Sequence, residues 1–551
     1  MAEACNIAAA LPRLAAAQPD RIAMRCPGMR GPDGLAAYDV ELTYAQLDMR
    51  SNAIAAGLAK RGITRGTRCV VMVRPSPEFF LLMFALFKAG AVPVLVDPGI
   101  DRRALKQCLD EAAPEAFIGI PLAHVARVLL GWSKSAHVRI TTGRRAWFAD
   151  DTLARIERDG AEAGAQLVDT QPDDIAAILF TSGSTGVPKG VVYRHRHFVA
   201  QVALLREAFD IQPGGVDLPT FPPFALFGPA LGLTSIIPDM DATRPARADP
   251  RRLVAAIGRF GVDQVFGSPA LMRVLARHGQ PLPGLRRVIS AGAPVPADVV
   301  ARMRELLPDE ARFWTPYGAT ECLPVAVIEG GELQATHEAT AQGAGTCVGR
   351  PLDANIVRII RIDDAALPAW SAALVIAPGS IGEITVTGPT TTDAYFRRDV
   401  ATRLAKIAET LDDGSVRIVH RMGDVGYFDA QGRLWFCGRK SDRVETAAGV
   451  LYTEQVEPVF NVHPHVRRTA LVGIGPSGRQ RPVLCVELEQ GVHASRWPAI
   501  EEALRHLGAG HVHTGGIDAF LRHPGFPVDI RHNTKIGRPA LARWAAKAMK
   551  Q

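Results

Sequence analysis

The sequence lacks the features that would mark a secreted or membrane-spanning protein. Its eight cysteines are scattered and form no CxxC pair, which argues against a disulfide framework or zinc site and favours reduced thiols. The Ala-rich N-terminus is interrupted by Arg13 before a signal-peptide core can form. The most apolar stretch, residues 79–96, is broken by Lys88, Gly90 and Pro93, which favours a buried helix and strand over a membrane span. We therefore expect a cytoplasmic protein without a transmembrane segment.

The sequence also has no block of charge of one sign. The net charge of +7 comes from basic residues spread along the chain, which indicates a solvated surface and does not imply nucleic acid. With 47% hydrophobic and 22% charged residues, the composition is that of a folded globular protein. No internal repeat is visible. A chain of 551 residues is too long for one ordinary core, so we expect a large domain and at least one smaller one.

The pattern of apolar residues predicts how the chain is organised. From residue 42 to about residue 300, helical patterns alternate with short apolar runs, which is typical of α/β structure. Residues 382–437 contain strands separated by Gly and Asp turns, which indicates an antiparallel β subdomain. We predict an α/β protein with an N-terminal domain, 1–437, built from α/β subdomains and this small β subdomain. A small, mobile α+β domain, 438–551, is predicted to follow.

A loop of glycines, small hydroxyl residues and one lysine follows the apolar run IAAILF. Its residues are Thr181, Ser182, Gly183, Ser184, Thr185, Gly186, Val187, Pro188, Lys189 and Gly190. Glycines let backbone N–H groups turn toward phosphate oxygens, hydroxyls add donors, and the lysine adds a positive charge. Ten such residues in order after a strand disfavour an ordinary surface loop. The loop does not fit the Walker motif G-x-x-x-x-G-K-[ST], because five residues separate Gly183 from Lys189 and Gly190 follows the lysine. A Walker-type kinase or ATPase is therefore also disfavoured.

Five further segments follow this loop along the chain. They are Ala291-Gly292-Ala293-Pro294, Tyr317-Gly318-Ala319-Thr320-Glu321, GEITVTGP, Gly423-Asp424 and Gly438-Arg439. In type and order, the six segments resemble the adenylate-forming superfamily, which includes acyl-CoA synthetases, peptide-synthetase adenylation domains and luciferases. Any one of them is weak evidence, whereas six in family order are specific. The resemblance covers nearly the whole chain.

The resemblance implies an enzyme that uses ATP and Mg²⁺ to adenylate a carboxylic acid. The carboxylate attacks the α-phosphate and pyrophosphate leaves, so the site must position two anions and neutralise charge on the phosphoryl oxygens. Glu321 is implied as the Mg²⁺ ligand, since hard cations prefer oxygen. Asp424 is implied to hold the ribose hydroxyls, and Arg439 to begin the hinge beside the nucleotide. The other implied nucleotide contacts are the 181–190 loop with Lys189, residues 291–294, Tyr317, Gly318, Ala319 and Thr320.

Three segments depart from the superfamily pattern. Ala225 stands where a histidine commonly follows the aromatic residue. The hinge segment GRKSDRVETAAG has Ser441 where Asp or Lys is usual and Glu445 where Lys is common, which predicts altered domain rotation. In HNTKIGR, Arg538 takes the place of the catalytic lysine while Lys535 lies three residues earlier. Arg is not a simple substitute for Lys at a point-charge site, so either residue is a candidate for the catalytic cation.

These departures, with RHNTKIGRPALA and GRKSDRVET, resemble one branch of the superfamily, the β-lactone synthetases of bacterial olefin biosynthesis. The resemblance implies a long-chain 2-alkyl-3-hydroxy acid whose own 3-hydroxyl displaces AMP and closes a β-lactone. It also implies other enzymes of the same hydrocarbon pathway as partners. Residues 221–233, with Phe224, Phe227 and Gly228, and residues 265–275 are predicted walls for the alkyl chains, the alternative being that either segment is core.

Two other functions remain open from the sequence. An ordinary medium- or long-chain acyl-CoA synthetase shares the first half-reaction, and CoA-dependent AMP release would decide for it. A non-catalytic acyl- or adenylate-binding protein is suggested only by the altered lysine site, and the presence of Lys189, Glu321 and Asp424 argues against it.

Two motifs in the sequence are predicted to be structural. Residues 473–478 fit G-x-G-x-x-G but precede a strand, which predicts a hairpin loop. His195 and His197 follow the phosphate loop in a segment that often reads THRN in the superfamily, so a metal site is disfavoured. His195 is predicted to be a packed side chain or one that lies behind the substrate contacts, and His197 takes the position of the asparagine.

Overall fold

The computed structural model describes residues 5–97, 100–181, 188–527 and 536–550. The strands of these residues are β1 (Ile22–Cys26), β2 (Val40–Thr43), β3 (Arg68–Met72), β4 (Val92–Val96), β5 (Ala116–Gly119), β6 (Val138–Thr141), β7 (Asp151–Thr152), β8 (Ile175–Thr181), β9 (Lys189–Arg194), β10 (Val216–Pro219), β11 (Thr234–Ile236), β12 (Gln264–Gly267), β13 (Arg287–Ser290), β14 (Arg312–Ala319), β15 (Cys322–Glu329), β16 (Thr346–Cys347), β17 (Arg350–Pro351), β18 (Ile356–Ile360), β19 (Gly382–Thr387), β20 (Lys406–Thr410), β21 (Val416–Phe428), β22 (Leu434–Arg439), β23 (Val444–Thr446), β24 (Gly449–Leu451), β25 (Val466–Ile474), β26 (Arg481–Leu488) and β27 (Ala519–Arg522).

The α-helices are α1 (Ala10–Ala17), α2 (Tyr44–Ala59), α3 (Pro77–Lys88), α4 (Arg102–Ala112), α5 (Pro121–Leu130), α6 (Leu153–Asp159), α7 (His195–Ala208), α8 (Gly228–Leu231), α9 (Pro250–Phe260), α10 (Pro269–His278), α11 (Ala297–Leu306), α12 (Gly330–Ala335), α13 (His337–Ala341), α14 (Asp399–Ala405), α15 (Thr453–Asn461), α16 (Trp497–Ala509) and α17 (Arg538–Ala548).

Two large sheets occupy the first two thirds of the chain. The seven-stranded sheet has the order β7-β6-β5-β3-β4-β8-β9, and its strands are parallel apart from β9. The nine-stranded sheet has the order β17-β15-β14-β13-β12-β10-β11-β1-β2, with parallel strands from β1 and β11 through β14. The carboxyl ends of parallel strands meet at one edge, so β3, β4 and β8 end together there.

Helix α3 shows why the most apolar stretch is buried. Its side chains from Phe79 to Lys88 are all buried, as expected of a helix that is apolar on every face. Lys88 donates to Asp48 Oδ1 and to Asn52 Oδ1, both at 2.7 Å, so its buried charge is paired. Strand β4 follows, which confirms the predicted helix and strand. No helix among the described residues is long and apolar enough to cross a membrane.

A six-stranded antiparallel sheet contains the predicted β subdomain, residues 382–437, and also includes the earlier strands β16 and β18. Its order is β16-β22-β21-β19-β18, with β20 paired to β21. The long strand β21 pairs with β19, β20 and β22 and carries the Gly423-Asp424 segment. Within this sheet Arg421 and Glu383 form an ion pair of 2.6 Å in which both side chains are buried.

The C-terminal residues form a small α+β unit. Strands β25, β26 and β27 make one sheet, and α15 and α17 pack against β25. Two apolar cores of this unit draw all their buried members from Val444 onward. Strands β25 and β26 are antiparallel and register Ile474 with Arg481, which confirms the predicted hairpin at residues 473–478.

The predicted fold class, a large α/β N-terminal domain followed by a small C-terminal domain, is confirmed. The boundary between residues 437 and 438 and the mobility of the second domain stay predictions. All eight cysteines, each within the described ranges, are free thiols.

Candidate active site

One cleft of about 2130 Å³ brings together residues from four parts of the fold. Lys189 comes from the seven-stranded sheet and Ala291 from the end of β13 in the nine-stranded sheet. Asp424 comes from the β subdomain and Arg538 from the C-terminal unit. Residues that the sequence places hundreds of positions apart therefore line one space.

The predicted phosphate loop joins two antiparallel strands at this cleft. Thr181 ends β8, Lys189 begins β9, and the two residues are register partners. Lys189 Nζ lies 4.9 Å from the centre of the Tyr395 ring, a distance typical of a cation–π contact. Lys189 has no ion-pair partner among the described residues. The predicted contacts Ser182, Gly183, Ser184, Thr185 and Gly186 lie outside the described residues.

Glu321 is held at the tip of the hairpin between β14 and β15. Its backbone carbonyl accepts hydrogen bonds from Thr392 N at 2.9 Å and Thr392 Oγ1 at 3.0 Å. Its carboxylate Oε1 accepts one from the Tyr395 hydroxyl at 2.5 Å. Burial, and then the Glu321 charge, hold the pKa of Tyr395 far above its usual range, so this tyrosine stays a donor. The Tyr193 hydroxyl donates to the neighbouring Thr320 carbonyl.

The Glu321 carboxylate fits a magnesium site. Oε2 accepts no hydrogen bond from the described residues, so an oxygen ligand remains for a hard cation. No group of three or more His, Cys, Asp or Glu side chains among those residues could hold a metal ion. An Mg²⁺ ion at Glu321 would therefore depend on phosphate oxygens and water for its other ligands, as is usual for this ion.

Asp424 lies between a tyrosine and an arginine at another wall of the cleft. The Tyr317 hydroxyl donates to Asp424 Oδ2 at 2.7 Å, and Arg439 Nη1 lies 2.8 Å from Oδ1. The arginine is placed by the sheet, because Asp424 and Arg439 are register partners on β21 and β22. Burial raises the pKa of Asp424, while the Arg439 charge and the Tyr317 hydrogen bond oppose that rise.

The predicted adenine segment directly follows β13. All four of its residues, Ala291 to Pro294, line the cleft, as do Gly318, Ala319 and Thr320. Gly292 has φ 103°, a conformation that favours glycine. The Ala291 N–H donates to the carbonyl of Gly267, which ties the segment to the end of β12.

The predicted acyl pocket is aromatic, but its boundaries differ from the prediction. Phe224 and Phe227 line the cleft, and Phe224 stacks on Phe266 with 3.9 Å between ring centres. Gly228 is not among the described residues that line it. A Cβ on Gly228 would lie 2.6 Å from Ser235 Oγ, so the glycine serves close packing.

The second predicted wall, residues 265–275, divides between cleft and core. Phe266 and Ser268 line the cleft, whereas Val265, Leu271 and Leu275 belong to a hydrophobic core. The alternative that this segment is core therefore holds for those three side chains.

Sequence reasoning missed a second apolar part of the cleft. Phe79, Met83 and Phe87 of α3 line it, and the Phe87 ring lies 6.2 Å from Phe198. Phe198 in turn lies 6.2 Å from Phe227, so aromatic side chains connect the two apolar parts. The sequence signal for this part of the cleft was that α3 is apolar on every face. A helix packed only in a core has the same pattern, so the signal does not identify a cleft.

Arg538 is neutralised within the C-terminal unit. It begins α17 and donates to Glu457 at 2.6 and 3.1 Å and to the Leu471 carbonyl at 3.0 Å. Asp442 lies 3.4 Å from it. Its charge is thus balanced by a buried carboxylate instead of projecting freely into the cleft. The rival candidate Lys535 lies outside the described residues.

Ion pairs hold the hinge segment against the β subdomain. Lys440 lies 3.0 Å from Glu383, the carboxylate that also pairs with Arg421. Arg443 lies 2.6 Å from Asp364 and 2.8 Å from Glu445. Glu445, one of the two hinge departures, thus pairs with Arg443 of the same segment.

The two histidines after the phosphate loop are packed, which agrees with the packed alternative predicted for His195. His195 and His197 are fully buried. Burial lowers the pKa of each to about 4, so both are neutral at physiological pH.

Comparison with known proteins identifies the family of this site. The family described as AMP-binding enzyme matches residues 11–396. The chain belongs to the AMP-binding enzyme family. This family member is 73% identical to a protein named olefin beta-lactone synthetase from Xanthomonas campestris pv. campestris, over 99% of this chain and 98% of the relative. It is 69% identical to a protein of the same name from Stenotrophomonas maltophilia, over 99% of both chains.

A solved structure shows the same fold at low identity. O-succinylbenzoate Coenzyme A Synthetase (MenE) from Bacillus subtilis, in complex with ATP and magnesium ion, superposes with a TM-score of 0.72 at 19% identity. The match covers 97% of this chain and 98% of that one. The predicted resemblance to adenylate-forming enzymes and to their β-lactone synthetase branch is confirmed, and the protein is an AMP-forming ligase.

Proposed function

We propose that this AMP-binding enzyme is an olefin β-lactone synthetase. It adenylates a long-chain 2-alkyl-3-hydroxy acid, whose own 3-hydroxyl then closes a four-membered lactone and releases AMP. The observation that carries the proposal is the 73% identity, over nearly the full length of both chains, to a protein with that name. The arrangement of the cleft supports it, because each predicted half of the reaction has side chains in place.

The polar half of the cleft suits the adenylation step. Asp424 would accept hydrogen bonds from the ribose hydroxyls, and its contacts with Tyr317 and Arg439 support this role because they orient the carboxylate. Lys189, which has no ion-pair partner in the described parts of the chain, brings a positive charge to the start of β9. Glu321 would hold Mg²⁺, which supplies neutralisation of phosphate charge when bound. Preorganised charges of this kind stabilise the charge that develops on phosphoryl oxygens.

The apolar half suits an acid with two alkyl chains. One part is lined by Phe224, Phe227 and Phe266, and the other by Phe79, Met83 and Phe87. A branched acid could place one chain in each part and present its carboxyl to the polar half. Its 3-hydroxyl would then be an intramolecular nucleophile with an effective concentration of about 10⁵ M or more, which removes the need for a thiol acceptor.

The test is a reaction without CoA. ATP, Mg²⁺ and a synthetic 2-alkyl-3-hydroxy acid should yield AMP, pyrophosphate and a β-lactone that mass spectrometry detects. The matched acid without the 3-hydroxyl should release pyrophosphate and stall as bound acyl-AMP. In a second reaction with added CoA, formation of a CoA thioester as fast as AMP release would overturn the lactone step and favour the alternative, a long- or medium-chain acyl-CoA synthetase.

Three further parts of the proposal concern the protein's surroundings and construction. We place the enzyme in the cytoplasm, and the eight free cysteines support a reducing compartment. Other enzymes of the same hydrocarbon pathway are its proposed partners. A domain boundary at residues 437 and 438 is supported by the separate C-terminal cores, and limited proteolysis should cut first in the hinge segment that follows it.

A further inference from the structure

An apolar and basic surface lies outside the cleft. On α5, Leu122 and Leu129 are 66% and 77% exposed, and they are seven positions apart, which places them on one helix face. In the segment that follows β6, Trp147 and Phe148 are 65% and 55% exposed. We define the α5 patch as these four side chains together with two exposed arginines of the same segment, Arg144 and Arg145.

The fold holds the patch in place. Arg127 of α5 donates to the Phe148 carbonyl at 2.9 Å, and the Thr142 N–H donates to the Gly119 carbonyl at 3.0 Å. A Cβ on Gly143 would lie 2.5 Å from Pro121 Cγ, so the segment packs tightly on the start of α5. Phe148 has φ 56°, a costly conformation for a bulky residue. The segment that carries the exposed Trp147 and Phe148 is therefore fixed against α5 by these contacts.

The patch shares a sheet edge with the cleft. Helix α5 follows β5 and the aromatic segment follows β6, while the cleft opens beyond β3, β4 and β8. These strands are parallel, so their carboxyl ends lie together. Neighbouring strands are about 5 Å apart, which puts the end of β6, where the aromatic segment begins, about 10 Å from the end of β3. Trp132, two residues beyond α5, lines the cleft itself.

The chemistry of the patch favours a lipid surface over a protein partner. The interface of an anionic bilayer favours apolar and aromatic side chains, such as tryptophan, phenylalanine and leucine, next to arginine. The acidic residue of the segment, Asp150, is paired with Arg139 at 2.7 Å, so the free charge at the patch is positive. An acid with two long alkyl chains partitions into membranes, so docking there would present the cleft to its substrate; this last argument rests on the proposed function.

We propose that the α5 patch docks the enzyme peripherally on anionic phospholipid bilayers. The test uses the full chain and sedimentation with vesicles of phosphatidylethanolamine and phosphatidylglycerol, against vesicles of phosphatidylcholine. Binding should prefer the anionic vesicles and weaken as salt rises. The variant Leu129→Glu/Trp147→Ser should lower the partition coefficient about tenfold or more, and Arg144→Gln/Arg145→Gln should do the same for anionic vesicles.

A matched control separates this proposal from the lactone proposal. Val512, fully exposed in the C-terminal unit, can be changed to Glu and should leave binding within about twofold. Every variant should release pyrophosphate with a short, water-soluble acid at the wild-type rate, which shows that it is folded. Vesicle binding needs no substrate, so a failure of lactone formation would not affect it.

Three results would overturn the proposal. The first is wild-type binding that is absent or equal on both vesicle types. The second is wild-type sedimentation by the patch variants. The third is a larger assembly of the wild type that Leu129→Glu/Trp147→Ser dissociates, since that would make the patch an interface between copies of the chain.

Discussion

Replacing Arg538 by methionine tests how the C-terminal cation is supplied. The change removes the partner of Glu457, whose side chain is 9% exposed and takes two hydrogen bonds from the arginine. Breaking a buried pair on one side leaves an uncompensated charge, which costs about 3–5 kcal/mol. Arg538→Met should therefore destabilise the C-terminal unit by about that amount. Its loss of activity alone would not show a catalytic role.

A second change removes the stranded charge. In the structure the Leu471 N–H donates to Glu457 Oε1 at 2.8 Å, and Glu457→Gln keeps an oxygen that can accept this hydrogen bond. The double variant Arg538→Met/Glu457→Gln should therefore regain most of the lost stability. Hydrogen exchange of α17 and β25 is the suitable measure, because a chain with two domains does not unfold in one step.

Pyrophosphate release then decides between the two cations. If Arg538 is structural, the stable double variant should keep its rate within about threefold of wild type. Lys535→Ala should lose about 100-fold, as expected when a charge that stabilises the transition state is removed. The reasoning is refuted if the double variant is as protected as wild type yet loses about 100-fold, because Arg538 would then be the catalytic cation.

Three more predictions follow from the described contacts. Glu321→Gln keeps an oxygen for the Tyr395 hydroxyl but loses the charge, so pyrophosphate release should fall about 100-fold or more without a change in melting temperature. Met83→Phe narrows the apolar part beside α3 and should lower kcat/KM for the longest acids about tenfold, with a short acid unaffected. Burial raises the pKa of Asp217 to about 7, so the protonated carboxyl adds stability that is fully present below about pH 4 and is lost as pH rises toward 7. The variant Asp217→Asn should therefore show a smaller fall in melting temperature between pH 4 and pH 7. Part of the fall should remain, because burial also raises the pKa of Glu454 to about 7.

Much of the fold was predictable because local patterns agree with it. The alternation of apolar runs and helices predicted α/β structure, which the two large sheets have, and Gly and Asp turns predicted the β subdomain. The order of short motifs predicted that Lys189, Tyr317, Glu321 and Asp424 would share one site, and all four line the cleft. Such motifs can be recognised from the sequence because each residue type suits one chemical role in the site.

Other features depend on partners that the sequence does not indicate. Arg538 pairs with Glu457, 81 positions away, and no pattern in HNTKIGR predicts that contact. Gly228 occurs in an aromatic segment that suggested a pocket, but its neighbour is Ser235 on β11. Apolar side chains of α3 face both a core and a cleft, and composition cannot distinguish the two until neighbouring elements are placed.

The shared carboxylate of Glu383 has a consequence for turnover. Arg421 balances its charge inside the β subdomain, and Lys440 approaches from the hinge. Rotation of the hinge away from this position would break the Lys440 contact and still leave Glu383 paired with Arg421. The Glu383 carboxylate would therefore keep a partner in both positions, which would lower the electrostatic cost of the domain rotation that the sequence predicts.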